Sequence, residues 1–345
     1  MMSILVLSCA VSLVAAILAT FGWRHLALQT NTLAVPNQRS AHAHTVPTPT
    51  GGGLGFLIGL LAGVLALWVL GEPMAPVATH VLGLAILAGV LGGLDDWIDI
   101  RWSVRLSAQI VLGLVAIYYL GTIAAIPLPG MTLQLAWFGG VLSLVFIVYM
   151  INIYNFMDGI DGIAASQAIF VLALFSLLSP GAEGSSLALL VSGAVAGFLG
   201  LNLPPARIFM GDVGSYFLGG LIALLVIQTA HNETVTVWFW AVAMALFVTD
   251  ATTTLLSRLL QGQNIFTAHN THAYQHVARQ IGVRKTLTGV WAINLAWLLP
   301  LAWLTINHPG SGFWFALLGY APLIVLAVYI GAGRRKTLSV HGDPQ

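Results

Sequence analysis

The chain has 345 residues, of which only 7% are charged, and a mean hydropathy of +0.92. Soluble domains carry about 25% charged residues, so this composition excludes an ordinary soluble protein and indicates an integral membrane protein. The net charge of +1 identifies no partner, and the single cysteine, Cys9, excludes a disulfide within the chain.

Long apolar segments follow one another along the chain, separated by short polar connections. A helix needs about 20 apolar residues to cross a bilayer, and these segments lack the alternation of membrane β-strands. The sequence therefore predicts an all-α integral membrane protein, a polytopic bundle of about eleven transmembrane helices. The predicted spans are 3–22, 52–70, 78–94, 104–120, 136–153, 163–179, 185–201, 214–230, 237–257, 286–306 and 313–331.

The basic residues fall on alternate connections, and the positive-inside rule places those connections in the cytoplasm. Arg24 follows the first span and nothing basic precedes it, which favours a retained helix over a cleaved signal peptide. The predicted topology is N-out/C-in, with one polytopic membrane domain, 1–335, and a short polar cytoplasmic tail, 336–345. The basic residues are Arg24, Arg39, Arg101, Arg105, Arg207, Arg258, Arg279, Arg284, Lys285, Arg334, Arg335 and Lys336.

Five polar motifs all lie in connections assigned to the cytoplasmic side, so we expect an active site on that face. Loops at such a position carry function more often than the spans that they join. The motifs are Arg39–His42 with Gly51–Gly53, Asp95–Asp99, Asn152–Gly162, Phe209–Ser215 and His269–His276.

The acids of these motifs indicate a metal site. Six acids lie at one membrane face, where crowded carboxylates repel unless a cation compensates them: Asp95, Asp96, Asp99, Asp158, Asp161 and Asp212. All-oxygen ligation favours Mg²⁺ or Mn²⁺ over zinc, and Mg²⁺ completes its shell with water and phosphate. The sequence thus predicts a metal–phosphate site. For the first two acids alone, solvated carboxylates at the end of a span are an equally good interpretation.

Several other groups suit phosphate, each with an alternative. Arg39 and the histidines can bind phosphate oxygens. Gly51–Gly53 either present N–H groups to an anion or allow close helix packing. His269, His272 and His276 suggest zinc, but no cysteine or acid stands beside them, which favours anion binding.

Asp250 lies inside a span, about two helical turns from its inner end. An acid within the membrane is a functional candidate by default. The alternative is that it caps a helix or pairs with Arg258.

Taken together, the motifs resemble the polyprenyl-phosphate N-acetylhexosamine-1-phosphate transferase family, also called glycosyltransferase 4. That family includes the enzymes that initiate O-antigen and common-antigen synthesis and the phospho-MurNAc-pentapeptide translocase. The matching motifs are Asp95-Asp96-x-x-Asp99, Asn155-Phe-Met-Asp-Gly-Ile-Asp-Gly162 and Phe209-Met-Gly-Asp-x-Gly-Ser215, and the resemblance extends from Arg39 to His276.

The resemblance implies a reaction and a set of roles. A UDP-activated amino sugar gives its sugar-1-phosphate to undecaprenyl phosphate with Mg²⁺, releasing UMP, in a multi-pass protein of the bacterial inner membrane. It implies catalytic roles for Asp95, Asp96, Asp158 and Asp161, and metal ligation by Asp212 and Asp96. The implied substrate-binding residues are Arg39, His42, Asn152, Asn155, His272, Tyr274, Gln275 and His276.

The histidine motif departs from the His-x-His-His pattern common in the family. His272-Ala-Tyr274-Gln275 looks like the branch that acts on 6-deoxy amino sugars in O-antigen and lipopolysaccharide biosynthesis. Tyr and Gln stay neutral where His can be charged, and a neutral rim suits a methyl group at C6. A transferase specific for UDP-GlcNAc remains the alternative.

Two other classes are less favoured. A transporter would place ionisable groups near the bilayer midplane, whereas nearly all acids here lie at one face. A CDP-alcohol phosphotransferase would need an Asp-Gly-x-x-Ala-Arg pattern, which this sequence lacks. The expected partners are a UDP-N-acetyl amino sugar, undecaprenyl phosphate, membrane lipid and a second copy of the chain; no nucleic acid is expected.

Overall fold

The computed structural model describes residues 2–30, 33–34, 47–230, 235–264 and 269–334. These residues are helical almost throughout, which confirms the prediction of a polytopic all-α membrane protein. The helices are α1 Met2–Gln29, α2 Gly52–Val69, α3 Pro76–Ile98, α4 Trp102–Leu120, α5 Phe138–Met157, α6 Ile163–Leu178, α7 Ser185–Asn202, α8 Gly211–Thr229, α9 Val237–Ala243, α10 Ala245–Leu260, α11 Ala273–Ile281, α12 Val283–Ile293, α13 Leu299–Asn307 and α14 Gly312–Ile330.

Every predicted span coincides with one helix or with two helices in succession. Nine helical segments in the described part of the chain are long and apolar enough to cross a membrane, and the bent pair α9–α10 would make ten. The shorter apolar helix α6 falls on the remaining predicted span. The number of crossings and the N-out/C-in orientation stay predictions, and the tail 336–345 lies outside the described residues.

Helix α8 lies at the centre of the bundle, with most of its surface buried. It packs chiefly against α3 and α5. Gly92 of α3 faces the main-chain oxygen of Asp212, where a Cβ atom would collide with the carbonyl group. Because Gly92 has no side chain, α3 approaches the first turn of α8 closely. This packing positions the acids of two distant motifs.

Two predicted spans are interrupted. The span predicted at 237–257 bends by 75° between α9 and α10, and a π-helical turn, Asn294–Leu298, divides α12 from α13. Gln167 joins the two breaks: its Nε2 donates to the Ala243 carbonyl (3.0 Å), and its Oε1 accepts from Asn294 Nδ2 (2.9 Å). Buried polar groups need such partners in a membrane interior, so a side chain of α6 stabilises both irregularities.

Two short antiparallel hairpins complete the fold. One pairs β1 (Leu33–Ala34) with β2 (Thr48–Pro49), and the other pairs β3 (Ala125–Leu128) with β4 (Met131–Gln134). Neither hairpin was predicted from the sequence. The first hairpin ends directly before the glycine run that begins α2.

Candidate active site

Asp96 and Asp212 meet at the first turn of α8. The Oδ2 atom of Asp96 accepts hydrogen bonds from the main-chain N–H groups of Asp212 (2.9 Å) and Val213 (3.4 Å). The first N–H groups of a helix have no partner within the helix, so a carboxylate is a favourable cap. Asp96 itself is exposed. The Asp95–Asp99 and Phe209–Ser215 motifs therefore converge, as the sequence predicts.

Asn155 brings a third motif to the same point. Its Nδ2 atom donates to Asp212 Oδ1 (2.7 Å) and to Ser215 Oγ (3.0 Å). Because Asn155 lies in the last turn of α5 and Asp212 in the first turn of α8, the contact depends on the packing of these two helices. The NH₂ group of Asn155 therefore orients the Asp212 carboxylate.

This group of oxygen atoms fits a hard divalent cation. Among the described residues, no three His, Cys, Asp or Glu side chains form a metal-binding cluster. Mg²⁺ usually takes one or two protein carboxylates and completes its shell with water and substrate phosphate. Asp212 and Asp96 supply two such carboxylates at the first turn of α8.

Asp158 lies at the end of α5 and is half-buried. Burial, and then repulsion from Asp212, Asp161 and Asp96, raises the pKa of Asp158 to about 7. A carboxyl group with this pKa can hold or release a proton near neutral pH. The same repulsion shows that negative charge accumulates at this face.

Asp95 differs from its neighbour in being buried, with both oxygens bonded. Its Oδ2 accepts from Arg105 Nη1 (2.5 Å) and from the Tyr216 hydroxyl (3.4 Å), and its Oδ1 accepts from Ile100 N (2.9 Å). Asp95 thus orients Arg105, which the sequence analysis did not select. A basic residue ten positions after the acid, at the start of α4, was the available signal.

Asp161 connects two loops. Its Oδ2 accepts from Ala206 N (2.9 Å). Next to it, Asn202 accepts from Gly162 N (3.0 Å) and donates to the Ile208 carbonyl (2.9 Å). These bonds fix the acidic loop, defined as residues 155–162, relative to the segment that leads into Phe209–Ser215. Asn202 was also missed, since a single Asn before two prolines carries little signal by itself.

The glycine run adopts the packing alternative. Gly52 N and Gly53 N donate to the carbonyls of Phe209 (2.8 Å) and Met210 (2.8 Å), and Phe209 N donates to the Pro49 carbonyl (2.8 Å). The two N–H groups are therefore used within the fold, and the anion-binding interpretation of the run is wrong for them. Arg39 and His42 lie outside the described residues.

Asp250 holds the start of α11. Its Oδ1 accepts from Ala273 N (3.0 Å) and lies 3.1 Å from His272 Nδ1, and its Oδ2 accepts from Tyr274 N (2.8 Å). Of the two alternatives raised by the sequence, Asp250 caps a helix rather than pairing with Arg258, which donates instead to the Asn264 carbonyl.

The side chains of the histidine loop, defined as His269–His276, are largely buried. Tyr274 is 5% exposed and Gln275 1% exposed. The Tyr274 hydroxyl donates to the Phe156 carbonyl (3.1 Å), and Gln275 Oε1 accepts from His272 N (3.2 Å). Tyr274 therefore binds the end of α5, and Gln275 stabilises the histidine loop itself. The sequence predicted both at a neutral rim of the sugar site, whereas both are buried.

The remaining histidines and Asn152 take separate places. The His269 ring stacks on His272 with the centroids 5.0 Å apart, and His276 is buried beside Arg279. Asn152 Nδ2 donates to Gln109 Oε1 (2.7 Å), which links α5 to α4. Within the described residues no zinc-type cluster forms at this loop.

Sequence comparisons with known proteins identify a family. A sequence profile of glycosyl transferase family 4 matches residues 78–230. The phospho-N-acetylmuramoyl-pentapeptide-transferase of Synechococcus sp. (strain JA-2-3B'a(2-13)) is 34% identical over 270 residues, which cover 73% of this chain and 74% of that enzyme.

Two further relatives are also named as transferases. The Moorella thermoacetica enzyme of the same name is 33% identical over 206 residues, 55% of this chain and 64% of the relative, just under two thirds of its length. A probable undecaprenyl-phosphate N-acetylglucosaminyl 1-phosphate transferase of Bacillus subtilis (strain 168) is 28% identical over 278 residues, 77% of this chain and 75% of the relative. The chain belongs to glycosyl transferase family 4.

Proposed function

We propose that the protein is a polyprenyl-phosphate hexosamine-1-phosphate transferase. It transfers an N-acetylhexosamine-1-phosphate from a UDP-sugar to undecaprenyl phosphate, releases UMP and starts a lipid-linked cell-envelope glycan. The observation that carries the proposal is the convergence of Asp96, Asn155 and Asp212 at the first turn of α8. Two of its relatives are named for transfer of an amino-sugar phosphate, one of them to undecaprenyl phosphate.

Asp212 and Asp96 would hold a Mg²⁺ ion, with water and substrate phosphate as its other ligands; Mn²⁺ would fit the same oxygen set. The bound ion would supply charge neutralisation on the pyrophosphate and on the departing UMP. Asp96 reaches this position because it caps α8, so the fold holds both acids before any substrate binds.

The chain supplies further positive charge for phosphate. Arg105, held by Asp95 at 2.5 Å, presents a guanidinium group at the same face. The first turn of α8 adds the partial positive charge of a helix N-terminus. The lipid phosphate is already mostly dianionic near neutral pH, so these groups need only orient it toward the sugar-linked phosphorus. Asp158, with its pKa raised to about 7, can hold or release a proton near the reaction.

A groove between α10 and α14 suits the isoprenoid chain of the acceptor. Its volume is about 700 Å³. Threonine residues of α10 line its middle, and a cationic residue, Arg334, lies beyond the C-terminal end of α14. An apolar groove with a cation at one end matches a long hydrocarbon that carries a phosphate group. The apolar lining includes Val248, Leu256, Leu260, Ile324 and Val328, and the polar end has Ser257, Gln261 and Arg334.

The sugar is proposed to be a 6-deoxy N-acetylhexosamine, on the His272-Ala-Tyr274-Gln275 sequence. Tyr274 and Gln275 are buried, so they would influence the sugar by setting the position of the acidic loop, which Tyr274 contacts at Phe156. UDP-GlcNAc specificity is the alternative. Location in the bacterial inner membrane and a homodimer belong to the same proposal.

Purified protein with Mg²⁺, undecaprenyl phosphate and a panel of UDP-sugars tests the reaction through the release of UMP. We expect UMP only when lipid phosphate is present, and a release lower by about 100-fold or more from the Asp212→Asn variant. Transport of an intact UDP-sugar by vesicles without release of UMP would instead favour the transporter interpretation.

A further inference from the structure

The last helix of the chain ends against the histidine loop. Beyond the C-terminal end of α14, Gly333 N donates to the Thr271 carbonyl at 2.7 Å. Gln261, just after α10, donates from Nε2 to the Gly333 carbonyl at 3.3 Å. Gly333 is buried. It therefore joins the end of α14 both to the segment after α10 and to the residue that precedes His272.

No other residue type fits at position 333. Its φ of +77° lies in the region that side chains disfavour. A Cβ atom there would lie 2.6 Å from the Cβ of Ser257 and 2.7 Å from the Thr254 carbonyl oxygen. Because one of these neighbours is backbone, a rotamer change cannot relieve the contact. Any side chain would push the end of α14 away from α10. This movement would also lengthen the hydrogen bond from Gly333 N to the Thr271 carbonyl.

Small residues near Gly333 also pack α14 against the histidine loop. Ala327 and Ala332, at the end of α14, form a buried cluster with Ala273, the first residue of α11. The histidine loop is consequently held on two sides: the Asp250 carboxylate binds the N–H groups of Ala273 and Tyr274, and α14 binds Thr271. These contacts involve α14, which lies beyond the residues 78–230 that match the family profile.

We propose that Gly333 is a positioning residue of the active site, through which the C-terminal helix fixes the histidine loop. The loop begins with His269, which is partly exposed and whose Nδ1 lies 3.3 Å from the Thr271 hydroxyl, so a shift of Thr271 would move this histidine relative to the proposed UDP-sugar. The kinetic part of this inference rests on the proposed function, and its structural part does not. A displacement of about 1 Å at a binding group can lower the rate about 100-fold.

The test compares Gly333→Ala with Gly71→Ala. Gly71 has nearly the same backbone strain (φ +82°), but nothing lies within 4 Å of a Cβ atom at that position, which is on the connection between α2 and α3. Both variants thus carry the strain of a positive φ, and only the first disturbs α14. Gln261→Ala is a third variant, which removes one hydrogen bond to Gly333 without a steric clash.

Hydrogen–deuterium exchange measured by mass spectrometry is the readout that does not depend on activity. We expect faster exchange in residues 269–276 of Gly333→Ala, a smaller increase in Gln261→Ala and no increase in Gly71→Ala. In the transferase assay, KM for the UDP-sugar should rise about 10- to 100-fold in Gly333→Ala. Because the end of α14 also borders the proposed acceptor groove, KM for undecaprenyl phosphate should rise as well, and both should stay near the wild-type values in Gly71→Ala.

Unchanged exchange in the histidine loop of a folded Gly333→Ala variant would overturn the inference, as would equal loss of activity in Gly333→Ala and Gly71→Ala. If Gly333→Ala does not fold, unchanged exchange in Gln261→Ala would overturn it as well. Faster loop exchange in a protein that releases no UMP, wild type included, would leave the inference standing and reject the proposed function.

Discussion

The Asp250 carboxylate lies 3.1 Å from Nδ1 of His272, and both residues are buried. This contact joins α10, the helix that follows the 75° bend, to the residue that begins α11. A carboxylate within a membrane segment raises the free energy of the folded protein unless its oxygens accept hydrogen bonds or pair with a cation. Here each oxygen accepts at least one hydrogen bond from the histidine loop, so the position of the acid and that of the loop depend on each other.

Asp250→Asn should lower kcat/KM by about 10- to 100-fold, since a hydrogen bond to a charged group contributes about 1.5–3 kcal/mol. The amide has one acceptor oxygen where the carboxylate has two, and its NH₂ group would face an N–H donor of either Tyr274 or Ala273. Steady-state kinetics in detergent measure the effect. Glu183→Gln, the same chemical change at an exposed acid, is the control and should behave as wild type. Full activity of Asp250→Asn would show that the loop does not need the carboxylate.

Asp212→Asn and Asp96→Asn should each reduce kcat by about 100-fold or more, because a metal that polarises phosphoryl oxygens supplies several kcal/mol. Both changes are isosteric, and in Asp96→Asn the new amide oxygen could still accept from the first turn of α8. We therefore expect normal thermal melting with strongly reduced UMP release. EDTA should abolish the wild-type activity and Mg²⁺ restore it. Full turnover in EDTA would remove the metal from the proposal.

Asp158 should make the stability of the metal-free protein fall as pH rises. Its pKa in the folded state is about 7, whereas an unfolded aspartate has a pKa of about 4. Between these values the folded state binds more protons, so stability is full below about pH 4 and is lost as pH rises through about 7. The groups that raise this pKa by repulsion are Asp212, Asp161 and Asp96.

The measurement is thermal unfolding in EDTA from about pH 5 to about pH 8, for wild type and Asp158→Asn. The wild-type melting temperature should fall across this range, and the variant should show a weaker dependence. Added Mg²⁺ should reduce the wild-type slope, because a cation offsets the repulsion. Equal slopes for the two proteins would mean that Asp158 ionises as an ordinary surface acid.

Periodicity and charge could predict the spans because a bilayer imposes length and polarity on every helix. The motifs likewise predicted that Asp96, Asn155 and Asp212 lie at one membrane face, because the connections that carry them were all assigned to the cytoplasmic side. The bend at Met244 was not predictable. No proline or glycine marks it, and its stabilising side chain, Gln167, lies far away in the chain.

The sequence also could not separate the roles of adjacent acids. Asp95 and Asp96 are neighbours, yet a helical rotation of about 100° per residue points one toward Arg105 and the other toward α8. Similarly, Tyr274 carries a polar group but points inward to the Phe156 carbonyl. Both distinctions depend on which helix packs against which, and residue type does not report this.

Topology offers a test that is independent of chemistry. All basic residues lie on connections assigned to the cytoplasm. Reporter fusions at Gly184 and His308 should therefore be active outside the membrane, and fusions at Gln263 and after Lys336 inside. An outside signal at Gln263 would mean that the histidine loop and the acids Asp96 and Asp212 lie on opposite sides of the membrane. That result would contradict the proposed active site.

We propose that sugar choice depends on Tyr274 and Gln275, which are both buried. Wild-type protein should prefer a 6-deoxy UDP-HexNAc to UDP-GlcNAc, by about 100-fold at most, because an apolar wall rejects an added hydroxyl only modestly. Competition between UDP-N-acetylfucosamine, UDP-N-acetylquinovosamine and UDP-GlcNAc measures the ratio of kcat/KM values. The highest value for UDP-GlcNAc would contradict the preference and leave the transferase proposal intact.

The double change Tyr274→His, Gln275→His tests whether these positions set the preference. Both side chains support the loops, Tyr274 through Phe156 and Gln275 through His272. We expect the ratio to shift toward UDP-GlcNAc as the acidic loop moves. Tyr274→Phe is the control that keeps the ring and removes only the hydroxyl donor, so it should shift the ratio less. An unchanged ratio in the double variant, with normal turnover, would mean that neither residue influences the sugar.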